Sequence, residues 1–426
     1  MPKHARLTSS SLFDNNIKRF KSILANSGGE QMEPRAAELV DQLIDEALPR
    51  VVELRRKLHA RPELGFQEKE TTALIRQVLG ELGLEICEMN LPTGAVAVLQ
   101  GGSPGPSVGL RADIDALPIE EKTGLPFQSA NPGVMHACGH DGHMAILLGT
   151  ALVLRRLKEH LSGSVKFIFQ PAEELLQGAK QMIEAGVLDG EPLERIYALH
   201  LWPQVPFGHI GVLPGTAMAG ADRFSVTIQG VGGHGANPHL ARDPIIAAAH
   251  SITMLQTIVS RETNPAEPTV VSIGKIQGGS AYNTIGDSAT FEGTVRTTGR
   301  DAYDKIPGVF RTQLEGIARA TGTEIACDYR RLCPPLVNSR DAASEVLELS
   351  RSLFGEDRAL QLTAPTMVAE DFGLFLEKTA GCMFFLGIGE ERLLHTPTFD
   401  FAEEILKTGM KLFVMLVLSK LSGRSG

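Results

Sequence analysis

Nine consecutive positions, Met135-His-Ala-Cys-Gly-His-Asp-Gly-His143, hold one thiol, three imidazoles and one carboxylate. Thiolate and imidazole are the donors that divalent transition metals favour, and the glycines let the backbone fold back so that Cys138 and His140, two apart, converge on one point. Any single histidine here is equally explained as a cap or packing group beside a helix start. Five such groups together point to a metal site. A second signal is Pro171-Ala-Glu-Glu174, directly after a strand-like run at 164–170. Adjacent carboxylates repel, and a cation or a shared proton relieves the repulsion. One of Glu173 and Glu174 can then ligate a metal while the other acts as general base toward an activated water. Taken alone, the pair also fits a solvated helix N-terminus, where the dipole favours acids.

Three further places carry groups of the same kind. Asp113 and Asp115 follow a strand that ends at Arg111, His200 closes a strand at 195–200, and His395 lies in a loop after a strand at 382–387. Each is weak by itself. Together, four strand ends would bring Asp, Glu-Glu, His and His to the carboxyl edge of one sheet, where open α/β sheets bind ligands. The run Gly230-Val-Gly-Gly-His-Gly-Ala-Asn-Pro-His239 has neither phosphate-loop nor dinucleotide spacing, which excludes nucleotide binding on that ground. His234 in this glycine turn reads as a donor presented to a substrate. Asn283 and Arg296 lie on the same domain as His234, and an Arg at a strand end can clamp a carboxylate. A surface turn and an ordinary salt bridge account for these three equally well.

The elements that must position these residues follow from periodicity. Helical spacing predicts helices at 36–61 (interrupted at Pro49), 69–82, 144–160, 174–185, 342–353 and 402–421, with strand-like runs at 95–100, 107–111, 164–170, 195–200 and 382–387. Strands alternating with helices of this length imply an α/β domain with a mostly parallel sheet. The rhythm changes between 215 and 333, which reads as strand, helix, strand, strand, helix, strand, the order of an α+β ferredoxin-like unit. Gly and Pro at its edges mark it as an insertion. The expected organisation is therefore an N-terminal extension over 1–35, a catalytic domain split into 36–214 and 334–426, and an inserted domain at 215–333.

With 426 residues the chain can hold two domains at roughly 150 residues each. The net charge of −9 and the lack of a basic stripe exclude nucleic acid as a partner. Five cysteines without C-x-x-C spacing indicate neither a disulfide framework nor a zinc knuckle, and a reducing, cytoplasmic location is expected. No stretch approaches the roughly 20 apolar residues of a membrane span, so no membrane association is expected.

Against these residues the sequence resembles the metal-dependent amidohydrolase and metallopeptidase family of aminoacylases, hippurate hydrolases and auxin-conjugate hydrolases. The matching segments include Leu54-Arg-Arg-Lys-Leu-His-Ala-Arg-Pro-Glu-Leu-Gly65, Leu110-Arg-Ala-Asp-Ile-Asp-Ala-Leu117, the Met135 to His143 run, Gln170-Pro-Ala-Glu-Glu174, Gly232-Gly-His-Gly-Ala236, Asn283-Thr-Ile285, Ala369-Glu-Asp-Phe372 and His395. The resemblance implies two divalent ions per subunit, manganese or zinc, on Cys138, His140, Glu174, His200 and His395. It implies Glu173 as general base, Asp113 as the residue that orients a ligand, and His234, Asn283 and Arg296 as substrate-binding groups, His234 also stabilising the oxyanion. Arg111 stands where relatives carry a metal-binding His, and His140 would fill that position. The implied activity is hydrolysis of N-acyl-L-amino acids, hippurate-like or indoleacetyl-like, by a homodimer or higher oligomer that pairs through the inserted lid. Deacetylation of a biosynthetic intermediate and dipeptide hydrolysis are the nearest variants. A Cys138 nucleophile with His140 or His143 as base fails on two-residue spacing, and a non-catalytic acyl-amino acid binder would have no use for Glu173.

Overall fold

A computed structural model describes residues 34–422, so the extension expected over 1–35 lies outside the described residues apart from the helical positions 34 and 35. The chain opens with α1 (Pro34–His59), α2 (Lys69–Glu81), β1 (Glu85–Cys87), β2 (Ala95–Gln100) and β3 (Ser103–Asp113). Next come α3 (His140–Leu157), β4 (Ser162–Gln170), α4 (Gly178–Glu184), β5 (Leu193–Trp202) and β6 (Ile210–Val212). A second stretch holds β7 (Gly215–Met218), β8 (Gly220–Gln229), β9 (Gly233–His234), α5 (Pro244–Thr257), β10 (Thr269–Gly278) and β11 (Thr284–Ile285). It continues with β12 (Ser288–Thr297), α6 (Arg300–Thr321), β13 (Glu324–Cys333) and β14 (Leu336–Asn338). The last elements are α7 (Arg340–Phe354), β15 (Ala359–Gln361), α8 (Gly373–Leu376), β16 (Gly381–Gly387) and α9 (Ile405–Leu421).

These elements form two compact units. The first takes the described residues up to Val212, Ser339–Leu362 and the described residues from Lys378; the second takes Leu213–Asn338 and Thr363–Glu377. The second unit is thus longer at both ends than the expected 215–333, and it regains a segment expected in the first. Pairing explains the difference: β14 lies antiparallel to β7, and Met218 bridges Thr366. Neither a ladder of three pairs nor a single bridge carries a pattern that a sequence reading could use.

The first unit is built on an eight-stranded mixed sheet in the order β1-β2-β4-β3-β5-β16-β6-β15. Its central strands β4, β3, β5 and β16 run parallel, while β1, β2 and the β16–β6 pair are antiparallel. Buried parallel strands read as continuous apolar runs rather than alternating ones, and every residue of β16 is buried. Helix α3 is buried on nearly all sides between the sheet, α1 and α9. A side chain at Gly149 would come within 2.8 Å of both Met410 and Val51, so glycine sets how closely these helices approach. Pro49 does not end α1; packing against α3 and α9 outweighs the hydrogen bond it removes.

The second unit carries a four-stranded antiparallel sheet, β10-β12-β8-β13, with α5 and α6 packed on it. This is the ferredoxin-like arrangement expected from the element order. Phe224, Phe291 and Phe310 fill its core, and Tyr329 packs against them. Among the described residues no helix is long and apolar enough to cross a membrane.

Candidate metal centre

All five expected donors lie in the first unit, and local bonds aim each of them. Gly139, at φ 89°, turns the chain into α3 so that His140 opens the helix. His140 Nδ1 donates to the Asp115 carbonyl at 2.8 Å, which leaves Nε2 facing inward. His200, near the end of β5, donates from Nδ1 to the Leu201 carbonyl at 2.8 Å and points Nε2 at Cys138 Sγ, 3.5 Å away. His395 takes the left-handed conformation (φ 59°), which is uncommon for a residue with a Cβ, and its amide donates to the Ala137 carbonyl at 2.8 Å. Its Nε2 lies 3.3 Å from Cys138 Sγ and 3.4 Å from Glu174 Oε1. From His140 Nε2, Asp113, Glu173 and Glu174 are 3.8, 3.9 and 4.0 Å away.

The donor set fits a divalent cation. Two atoms bound at about 2.0–2.3 Å to one ion sit roughly 3 to 4 Å apart, the range seen here. His140 Nε2 and Glu174 Oε1 are buried and make no hydrogen bond, although each faces groups of suitable charge just beyond bonding reach. A ligating histidine needs its other nitrogen tied to an acceptor, and both His140 and His200 have that bond. Cys138 with His140 and His200, Cys138 with Glu174 and His395, and His140 with Glu173 and Glu174 each bring donor atoms within 4.8 Å of one another.

Electrostatics give the same picture. Burial alone would push the His140 imidazolium down, yet the charges of Asp113, Asp115 and Glu174 and the bond to Asp115 hold it up at about 10. A proton on His140 therefore does part of what a cation would do. Burial, reinforced by Glu174, Glu173 and Asp113, pushes the Cys138 thiol well up. Burial and the neighbouring His143 and His140 keep His200 neutral. Because ligands must be deprotonated, uptake of zinc or manganese is expected to expel protons from His140 and Cys138, with affinity rising as pH rises. Calorimetric titrations at one pH in buffers of different ionisation enthalpy measure this directly; equal heats in all buffers would contradict it.

The turn that carries Glu173 and Glu174 differs from the helix expected at 174–185. Helix α4 begins only at Gly178, and before it Ala172 and Leu176 both hold left-handed φ values of 51° and 53°. Side-chain acceptors outcompete helix formation here. The Glu173 and Glu174 amides each donate to the Asp115 carboxylate at 3.0 Å, and the Ala172 amide donates to buried Glu68 at 2.9 Å. Asp113 does not hydrogen-bond any of the five expected ligands. Its Oδ1 accepts from His143 Nδ1 at 2.6 Å and its Oδ2 from Arg111 at 2.8 Å, and burial is overridden by His140, His143 and Arg111 so that its carboxyl stays well below the usual range. His143 in turn accepts the Leu201 amide at 2.9 Å, so both of its nitrogens are committed to holding the sheet and α3 together.

Behind the donors lies a buried ionic network. Asp141, next to His140, is fully buried and accepts from Arg55 Nε at 2.7 Å and from His59 Nδ1 at 2.9 Å. Arg55, 1% exposed, also reaches Asp400 at 2.8 Å and Glu403 at 3.3 Å and stacks 4.1 Å from the Phe401 ring centroid. Burial would lower His59, but the Asp141 charge and bonds to Asp141 and Glu121 raise it to about 9. None of this was expected from sequence; the Arg55–His59 pair, four apart in a helical run, is the signal that both face one side.

In the second unit, His234 and Asn283 are brought together. Strands β9 and β11 pair, Thr284 sits opposite His234, and the Gly235 amide donates to the Asn283 carbonyl at 2.9 Å. His234 is exposed and its Nδ1 accepts from the Ala236 amide at 3.0 Å, so Nε2 carries the outward-facing proton. Arg296 is not brought to them. It lies near the opposite end of β12 from Ser288, on the order of 25 Å along the strand.

Residues 109–419 match peptidase family M20/M25/M40. The chain is 41% identical over 370 residues to N-acetylcysteine deacetylase of Bacillus subtilis (strain 168), covering 87% of this chain and 96% of that one. It is 38% identical over 371 residues to hippurate hydrolase of Campylobacter jejuni, covering 86% and 96%. A crystal structure of a dinuclear metal binding peptidase of the M20 family from Bacillus subtilis superposes with a TM-score of 0.77 at 38% identity, over 88% of this chain and 99% of that one. The chain therefore belongs to peptidase family M20/M25/M40 and is a metallo-amidohydrolase.

Proposed function

We propose that this enzyme hydrolyses the amide bond of N-acyl-L-amino acids to a carboxylic acid and a free amino acid. The observation that carries the reading is the buried, unbonded pair His140 Nε2 and Glu174 Oε1, set among Cys138, His200, His395 and Glu173. The names of the relatives, an N-acetylcysteine deacetylase and a hippurate hydrolase, support an acylated amino acid as substrate. Cys138, His140, Glu174, His200 and His395 would hold two divalent ions, which supply Lewis-acid polarisation of a carbonyl and acidification of water. The Cys138 thiolate favours zinc; carboxylate and imidazole donors suit manganese as well.

Glu173, buried and 3.9 Å from His140 Nε2, takes the proton from the attacking water and delivers it to the leaving amine. Asp113 fixes His143 and through it the junction of α3 with β5. His234 offers its Nε2 proton to the oxygen of the scissile carbonyl, while Asn283 and Arg296 bind the amino acid carboxylate. The separation of Arg296 from His234 and Asn283 supports a division of labour between two copies of the chain. Exposed Ile245, Ile246 and Met254 on α5, together with β10 at the sheet edge, offer an apolar face for such pairing. Mixing inactive Glu173→Gln and His234→Ala copies and letting subunits exchange would restore up to roughly a quarter of the activity; no recovery would count against His234 acting across a dimer. All five cysteines are unpaired, which supports a reducing, cytoplasmic location that cell fractionation can check.

The deciding experiment measures hydrolysis of acetyl-, benzoyl- and indoleacetyl-amino acids before and after chelation, with metal content determined on the same sample. Activity that disappears on chelation and returns with zinc or manganese is the expected result, and the best substrate names the acyl group. Activity that survives chelation but not thiol alkylation would overturn the metal mechanism.

A further inference from the structure

We propose that Asp115 is a positioning residue that locks the start of α3 and the Glu173-Glu174 turn into one geometry. The role rests on reading these residues as a metal centre. Asp115 is 1% exposed, two residues past the end of β3. Its carbonyl accepts from His140 Nδ1, one carboxylate oxygen accepts the Glu173 amide and the other accepts the Glu174 amide. A single residue thus fixes the ring plane of one donor and the backbone of another donor and of the base. The turn needs such a clamp. Left-handed φ values at Ala172 and Leu176 are strained for residues with a Cβ and persist only where the surroundings over-determine them. A carboxylate receiving two amides is a charge-assisted restraint on two of the three residues between those positions. Glu68 restrains the same turn through Ala172 but makes no bond to His140, which makes it the natural comparison.

Asp115→Asn tests the role because a carboxamide has one acceptor oxygen, so one of the two amides meets an NH2 group instead. Metal-stripped wild type, Asp115→Asn and Glu68→Gln are equilibrated with zinc by dialysis, and bound metal is counted. Trp202, the single tryptophan, has its ring 5.3 Å from His200 and gives a second reading by fluorescence. Thermal melts of the metal-free proteins run alongside. The expected result is zinc bound roughly 10- to 100-fold more weakly by Asp115→Asn, with Glu68→Gln binding as wild type and both metal-free variants melting cooperatively. On a substrate that wild type cleaves, kcat at saturating zinc falls while KM holds. If Asp115→Asn does not survive stripping, Asp115→Glu replaces it, since the longer arm keeps the charge and moves it off the two amides. A variant that melts lower but binds zinc as wild type does has lost only structure, and that result overturns the positioning role while leaving the metal centre intact. Wild type that takes up no zinc overturns the metal centre and the role with it.

Discussion

Glu173→Gln is expected to lower kcat by roughly 10²- to 10⁴-fold while metal content and KM change little. Gln keeps the length and shape of Glu173, and the Asp115 clamp acts on the backbone at this position, so the turn has no reason to move. What is lost is the ability to take a proton from water and return it to the amine. A group acting only in the transition state lowers kcat and kcat/KM together, whereas a binding group raises KM. Initial rates with metal analysis on the same protein distinguish the two. Near-normal turnover in Glu173→Gln would remove this residue from the proton transfer, and a matching loss of metal would make it a ligand instead.

Arg55→Leu is expected to cost about 3–5 kcal/mol of stability, because it leaves Asp141 charged and fully buried beside Asp400 and Glu403. Breaking one side of a buried pair is worse than removing both, so adding Asp141→Asn should recover part of the loss, a double-mutant signature measurable by denaturant unfolding. A loss below about 1 kcal/mol would mean the network is wetter than its burial indicates. The same network sets a pH dependence. His59 titrates at about 9 in the folded chain against an ordinary 6.5, so its contribution is complete below 6.5 and fades as pH rises through 9. Wild type should lose stability over that interval and His59→Gln should not.

Much of this architecture is legible in the sequence. The period-3.6 and apolar runs mark α2, α7, α9 and the central strands within a few residues, because their burial is strong and local. The three-residue strands β1, β6 and β15 escape, since three residues show no alternation. Thr363–Glu377 escapes for a different reason: its bridge partner, Met218 in β7, lies far away in sequence. Residue type and strand-end placement were enough to single out the donors that the fold gathers. They could not reveal that the Asp115 carboxylate takes the Glu173 and Glu174 amides while the Asp113 carboxylate takes His143, because the two look alike in Arg111-Ala-Asp-Ile-Asp115. Nor could they reveal the Arg55 to Asp141 pairing, which joins positions 86 apart.

The place of β16 bears on how the protein is made. This strand sits between β5 and β6 in the first sheet, yet it is synthesised after the whole second unit. At about 5–20 residues per second, a ribosome spends roughly ten to thirty seconds between Leu213 and Gly381. For that interval the nascent chain carries a half-built sheet whose β5 edge is open, while the ferredoxin-like core closes within its own stretch. His395 emerges later still, so the set of donors gathered around Cys138 is completed only after β16 has been made. Truncated chains that stop before Gly381 should aggregate or recruit chaperones, whereas released chains that run through α9 should not.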